Sequence, residues 1–192
     1  IFKQYDGTTV LTLDDDTTVK VATDLTVGDD VGLISDSAEL TFGANSEVKV
    51  IHQHDSGLAI KHTATADDKP VSLILQTGET DMAANDILGK VLFQAPDEGT
   101  GTDAILVAAG IQAKSEGDFS ATSNATSLEF MTGASEAASA KVRITSAGHL
   151  VPTADDSYDL GTGSLQWRNI YTGDLHLSNM TKDIGNIVDG SK

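Results

Sequence analysis

Apolar and polar residues alternate over short stretches along most of the chain, and turns rich in Asp, Gly, Ser or Thr separate the stretches. Alternation with a period of two predicts half-buried β-strands. In the first 63 residues it predicts strands at 10–13, 19–21, 25–27, 40–42 and 48–50. The tripeptides Leu-Thr-Leu, Leu-Thr-Val and Leu-Thr-Phe begin at residues 11, 25 and 40, a loose internal repeat typical of elongated β-structure.

The middle of the chain shows the same alternation. It predicts strands at 71–75, 87–95, 127–132 and 141–145. Because residues two apart on a strand share a face, Val91 and Phe93 are expected on one face, and Leu128 and Phe130 are expected to point inward.

Residues 104–113 form the most apolar run of the chain. Such a run fits either a helix or a buried strand, and Gly110 together with the flanking strand pattern favours the strand. The predicted fold class is therefore all-β, with short strands and little helix.

Large apolar residues are too thinly spread for an ordinary core. Leu, Ile, Val and Phe make up roughly a quarter of the chain, a little above the level that signals disorder, and they occur in pieces of two or three. A compact monomer of 192 residues normally buries more large side chains. The distribution favours a thin core that is shared between chains.

Residues 153–179 hold three of the four Trp and Tyr residues of the chain. The single tryptophan, Trp167, lies here with Tyr158 and Tyr171, and turn-forming residues separate the short apolar pieces. Trp and Tyr bury the most area per residue, so this stretch is predicted to be a centre of packing. The residues expected to pack are Tyr158, Leu160, Leu165, Trp167, Ile170 and Tyr171.

Charge excludes several kinds of partner. The chain has 12 basic and 29 acidic residues, a net charge of −17, and no cysteine. An acidic chain lacks the basic surface that nucleic acids and anionic membrane surfaces require.

There is no apolar run of the length that membrane insertion needs, and no signal peptide is visible. Because the chain starts at Ile1 rather than Met, we expect it to be a fragment or a processed product.

His52 and His54 are the main candidates for chemistry. On a strand they would share a face with Val48 and Val50. If three chains placed this face toward a common axis, six imidazoles would converge, which suits an octahedral first-row divalent metal such as iron. The alternative is that both histidines lie in a polar turn or pack without metal. His62 is predicted to be an exposed strand residue.

Residues 153–179 include Asp156, Tyr158-Asp159-Leu160-Gly161, Trp167 and Asn169-Ile170-Tyr171. This pattern resembles a segment near the C-terminal end of many bacteriophage tail fibres. Similar modules precede that segment in phage fibres, so the resemblance covers about residues 87–180. Residues 40–60 are also similar to repeats in appendage proteins of marine phages and cyanophages.

The resemblance implies an elongated homotrimeric fibre of interwoven β-sandwich, β-prism or triple β-helix modules. It implies a shaft segment with the His-x-His pair at 1–63, a connector of strand and loop at 64–86, and a β-module at 87–152. An aromatic module that joins the three chains would follow at 153–180, and a connector to a tip or chaperone domain at 181–192. Iron bound along the axis by His-x-His pairs is known in such fibres, which favours a metal at His52 and His54.

The predicted function is that of a structural virion protein in a tail or other appendage, outside the cell, which contributes to host attachment and is not an enzyme. Its predicted partners are two further copies of itself, other tail proteins and a host-surface glycan. Two alternatives remain: a polysaccharide-degrading fibre domain, which would need paired carboxylates, and a trimeric bacterial surface adhesin.

Overall fold

The computed structural model describes residues 24–95 and 101–174. Within these ranges the chain forms antiparallel β-strands and one short 3-10 helical turn, Asp103–Ile105, which confirms the all-β fold class. The predicted strands at 10–13 and 19–21 lie outside the described residues. The chain divides into two compact units, Ile1–Leu73 and Ile74–Lys192, and the division falls inside the predicted connector 64–86.

The first unit contains a three-stranded antiparallel sheet. Its strands are β1 (Glu39–Phe42), β2 (Val48–Gln53) and β3 (Gly57–His62), with β2 in the centre. The strands predicted at 40–42 and 48–50 are thus confirmed.

The register gives this sheet one apolar and one polar face. Val50 lies opposite Leu40 on β1 and Ile60 on β3, and directly opposite residues share a face. The apolar face carries Leu40, Phe42, Val48, Val50, Leu58 and Ile60, with His52 and His62 at its ends. The polar face carries an ion pair between Lys49 and Glu39.

The second unit contains a five-stranded meander in which each strand pairs with the next. Its strands are β4 (Ile87–Gln94), β5 (Val107–Ser115), β6 (Thr126–Thr132), β7 (Ser139–Ile144) and β8 (Leu150–Pro152). The predicted strand at 104–113 is confirmed in part, because residues 103–105 form the 3-10 turn and the strand begins at Val107.

The five-stranded sheet also has an apolar face, which is free of charge. It carries Gly89, Val91, Phe93, Ala109, Ile111, Ala113, Leu128, Phe130, Thr132, Val142, Ile144, Leu150 and Pro152. The opposite face is polar, and its central row runs across four strands as Lys90, Gln112, Glu129 and Arg143.

Burial in the single chain is the reverse of what a globular domain shows. Among the described residues no hydrophobic side chain is buried, whereas Gln112, Ser115, Ser127 and Glu129 are. Leu128 and Phe130 share a face as predicted, but they are 41% and 39% exposed.

Two predicted strands, at 25–27 and 71–75, are wrong: neither is a strand in the structure. Leu73 and Ile74 are 68% and 79% exposed. Alternation states which side chains would share a face, but a strand also needs a neighbour to pair its backbone groups. The described part of this chain gives these two stretches no such neighbour.

Gly110 allows close packing on the polar face of the five-stranded sheet. A Cβ atom there would lie 2.8 Å from Leu92 Cδ2 and 3.0 Å from the backbone oxygen of Val91. The backbone oxygen belongs to the paired strand and moves only if the strands shift.

We therefore expect Gly110→Ala to destabilise the protein by about 1–3 kcal/mol, the usual cost of overpacking. Thermal unfolding of the purified protein measures the change. Gly117→Ala is the control, since nothing lies within 4 Å of a Cβ there, and its effect should stay within about 0.5 kcal/mol. Equal effects of the two substitutions would contradict the packing argument.

Candidate functional site

The two candidate metal ligands do not share a strand face. His52 lies on β2 opposite Leu58, and its backbone N–H donates to Ala38 O at 3.0 Å. His54 follows the end of β2 and lies in the turn to β3, so the expectation that both histidines lie on one strand is wrong. The ring centroids are 6.4 Å apart and the rings are nearly perpendicular, at 84°.

The ring nitrogens of His54 face carboxylates. Nδ1 is 3.4 Å from Asp36 Oδ1, and Nε2 is 3.3 Å from Asp55 Oδ2, with the imidazole 64% exposed. Exposed pairs of this kind contribute little to stability. Within residues 24–95 and 101–174, no group of three or more His, Cys, Asp or Glu side chains of one chain is arranged to hold a metal ion.

His62 ends β3 and is half-buried, whereas an exposed strand residue was predicted. Its Nδ1 accepts a hydrogen bond from the backbone N–H of Ala64 at 3.1 Å. His62 also lies near Glu47, whose pKa is lowered chiefly by its own backbone N–H, then by the backbone and side chain of Asn45, and to a smaller extent by attraction to His62. These contacts hold the loop between β1 and β2 in place.

The aromatic stretch begins at the end of β8. Thr153 joins it to β7, because its backbone N–H donates to Lys141 O at 2.9 Å and its hydroxyl donates to Ala140 O at 2.6 Å. Lys141 Nζ lies 5.7 Å from the centre of the Tyr158 ring. Beyond this point a tight turn, with the N–H of Thr162 donating to Leu165 O at 2.8 Å, gives local order.

This stretch is not a packing centre within one chain. The six residues expected to pack are all exposed, from 42% for Tyr158 to 93% for Tyr171. The other four are Leu160, Leu165, Trp167 and Ile170. Their large apolar groups are therefore available to another molecule.

A concavity of about 620 Å³ lies in the same stretch. It is lined by Asp159, Leu160, Gly161, Ser164, Leu165, Gln166 and Trp167. It contains one carboxylate, whereas most glycosidases place two on either side of the bond that is cleaved. The hypothesis of a polysaccharide-degrading domain gains no support from this geometry.

The polar face of the five-stranded sheet holds a buried hydrogen bond. Gln112 Nε2 donates to Glu129 Oε2 at 2.7 Å, and both side chains are more than nine-tenths buried. Arg143 lies opposite Glu129 on β7, and its buried Nε has no hydrogen-bond partner in the described part of the chain. The centre of this face thus combines one buried hydrogen bond, between Gln112 and Glu129, with one buried donor that lacks a partner, Arg143 Nε.

The sequence analysis did not identify the two apolar sheet faces as a candidate site. Alternation predicted which side chains share a face, and it was the signal that could have found them. The pattern does not show whether the same chain covers the face, so alternation alone could not identify Val91, Phe93, Leu128 and Phe130 as parts of an open surface.

No helix in residues 24–95 and 101–174 is long and apolar enough to cross a lipid bilayer.

No protein-family profile matches the chain, and no curated protein sequence matches it. Among solved structures, the chain is similar to the carboxy-terminal domain of the bacteriophage T5 L-shaped tail fibre with its intramolecular chaperone domain. The TM-score is 0.46 at 19% identity, over 70% of this chain and 37% of that one, so this chain spans little more than a third of the matched protein. The matched protein is of the class that the sequence resemblance named.

Proposed function

We propose that this chain is a structural segment of a homotrimeric virion fibre, in a tail or other appendage, that contributes to attachment to the host cell. One observation carries the proposal. The described chain is a set of regular strands with no buried hydrophobic side chain. A sheet with one apolar face is stable only when that face is covered by another layer.

The apolar area left open is large compared with the stability of a protein. Seven large side chains on the apolar face of the five-stranded sheet are 38% to 66% exposed, about 600 Å² in all if a fully exposed large side chain presents roughly 150–250 Å². They are Val91, Phe93, Ile111, Leu128, Phe130, Ile144 and Leu150. Covering that area is worth on the order of 10 kcal/mol. Proteins are typically stable by only about 5–15 kcal/mol, so association would supply most of the stability of this sheet.

The sequence resemblance is the reason to propose a trimer and a virion protein. The aromatic stretch around Trp167 resembles the segment near the C-terminal end of phage tail fibres, and fibres of that family are trimers. The six exposed apolar residues of the stretch, from Tyr158 to Tyr171, would then pack between chains. In this proposal other tail proteins join the segment at its ends, and a host-surface glycan is the target of the assembled fibre.

The native mass of the purified chain tests the proposal directly. We expect three times the chain mass of 20.0 kDa at micromolar concentration. The measurement is native mass spectrometry or light scattering after size-exclusion chromatography. A chain that stays monomeric under these conditions would refute the trimer.

Trp167→Ala should weaken the assembled form. Trp167 is 64% exposed in the single chain, so its truncation removes little within the chain and much from an interface, about 2 kcal/mol or more for a well-packed anchor. The midpoint of dissociation on dilution measures the effect. Trp167→Phe keeps a ring at the site and should lose less. An Ala variant as resistant to dilution as the original chain would show that Trp167 does not lie between chains.

A metal at His52 and His54 is a separate proposal. It requires that three copies bring the imidazoles to one axis and that His54 turn away from Asp36 and Asp55, which it faces in the single chain. Elemental analysis of the assembled protein should then find about one iron or other first-row divalent ion per three chains, because six imidazole nitrogens complete one octahedral site. His52→Ala should remove the ion. An assembled protein without metal would leave both histidines with a structural role only.

A further inference from the structure

We infer that the apolar face of the five-stranded sheet is the surface on which a second copy of this chain packs. The inference deepens the proposed function, because it rests on self-association and names the surface responsible. It differs from the sequence-based expectation, which placed the contacts between chains in the aromatic stretch around Trp167.

The composition of the face points to a permanent interface. None of its residues is charged, although the chain carries 29 acidic and 12 basic residues. Interfaces with transient partners are about as polar as the rest of a protein surface. Obligate homo-oligomer interfaces are more hydrophobic and resemble a domain core that has been divided in two. The uncharged face of this sheet has the hydrophobic composition of an obligate homo-oligomer interface.

The area also fits. The exposed apolar area of about 600 Å² reaches the upper end of the largest patches found on typical soluble monomers, roughly 300–600 Å². It approaches the roughly 800 Å² that each partner contributes to a standard protein–protein interface. A face of this size on a single-layer sheet is therefore large enough to hold a stable contact by itself.

The partner must be present whenever the chain folds. The described part of the chain has no hydrophobic core of its own. Obligate homo-oligomers often have no stable folded monomer. A second copy of the same chain is always available during synthesis, whereas an unrelated partner is not. Packing copies through their uncharged faces also leaves the polar row with Lys90 and Arg143 on the outside, in water.

The face has a depression that suits an inserted side chain. A groove of about 280 Å³ is lined mainly by apolar residues, including Leu75, Val91 and Ile111, and also by Lys90 and Gln112. Gly89 forms part of its wall, and a Cβ atom there would lie 2.9 Å from Leu75 Cβ. The missing side chain at Gly89 lets Leu75 approach the sheet and leaves room beside it for an apolar group of the second copy.

Val91 and Leu92 provide a matched pair for the test. They are neighbours on β4, they are 44% and 45% exposed in the single chain, and they point to opposite faces of the sheet. We expect Val91→Asp to abolish assembly of the full-length chain, because it places a charge in a dry interface, and Leu92→Asp to leave the assembly intact. Native mass measured at equal concentration distinguishes the two variants.

A second measurement covers the case in which Val91→Asp fails to fold. The chain has no cysteine, so Val91→Cys and Leu92→Cys each carry a single thiol. In the assembled protein the thiol of Val91→Cys should react about tenfold or more slowly than that of Leu92→Cys, because access requires opening of the interface. In denaturant the two rates should be equal.

The outcomes separate this inference from the proposed function. An original chain that is monomeric would refute both. A trimeric chain whose Val91→Asp variant also forms trimers, or whose two thiols react equally fast, would refute the interface on this face and leave the fibre proposal standing. A monomer in which only the Val91→Cys thiol is protected would show that another segment of the same chain covers the face, and would also refute the inference.

Discussion

The structure depends on the burial of apolar sheet faces that one chain leaves open. Each described sheet is an antiparallel meander, so each strand finds its hydrogen-bonding partner next to it in sequence. This local pairing satisfies the backbone but produces only one layer. A single layer with an apolar face gains little from the hydrophobic effect until a second layer covers it, and in this protein that layer is most simply another copy.

The polar faces fix the register that keeps the apolar faces uniform. A slip of one residue between two strands moves every side chain to the opposite face. In β5 and β6 such a slip would place Leu128 or Phe130 opposite Gln112, in the position that Glu129 now occupies. The buried hydrogen bond between Gln112 and Glu129 would then be lost, and a buried carboxylate without a donor is costly. The net charge of −17 adds electrostatic repulsion between separate molecules.

Sequence alternation predicted the features that depend on one strand at a time. It located β1, β4 and β6 and showed that Val91 and Phe93 share a face. It failed where the outcome depends on a neighbour or on a turn. The stretch at 71–75 alternates, but no described strand is hydrogen-bonded to it. His54 lies outside β2 because the turn to β3 needs positive φ angles at Asp55 (56°) and Gly57 (139°). Alternation could not show that the apolar faces are open, because it looks the same in a monomer with a second layer and in an oligomer without one. Only the thin spread of large apolar residues favoured a core shared between chains.

The aromatic stretch shows why folding and assembly of this chain should be one event. Between Thr153, which is bonded to β7, and residue 174, its described backbone contacts are local turns such as that between Thr162 and Leu165. Local turns do not offset the entropy of ordering some twenty residues at about 1–2 kcal/mol each. Large side chains such as Trp167 and Tyr171 can supply the difference only when another molecule buries them. If further copies of the chain bury these groups, the stability of the stretch depends on protomer concentration as well as on sequence.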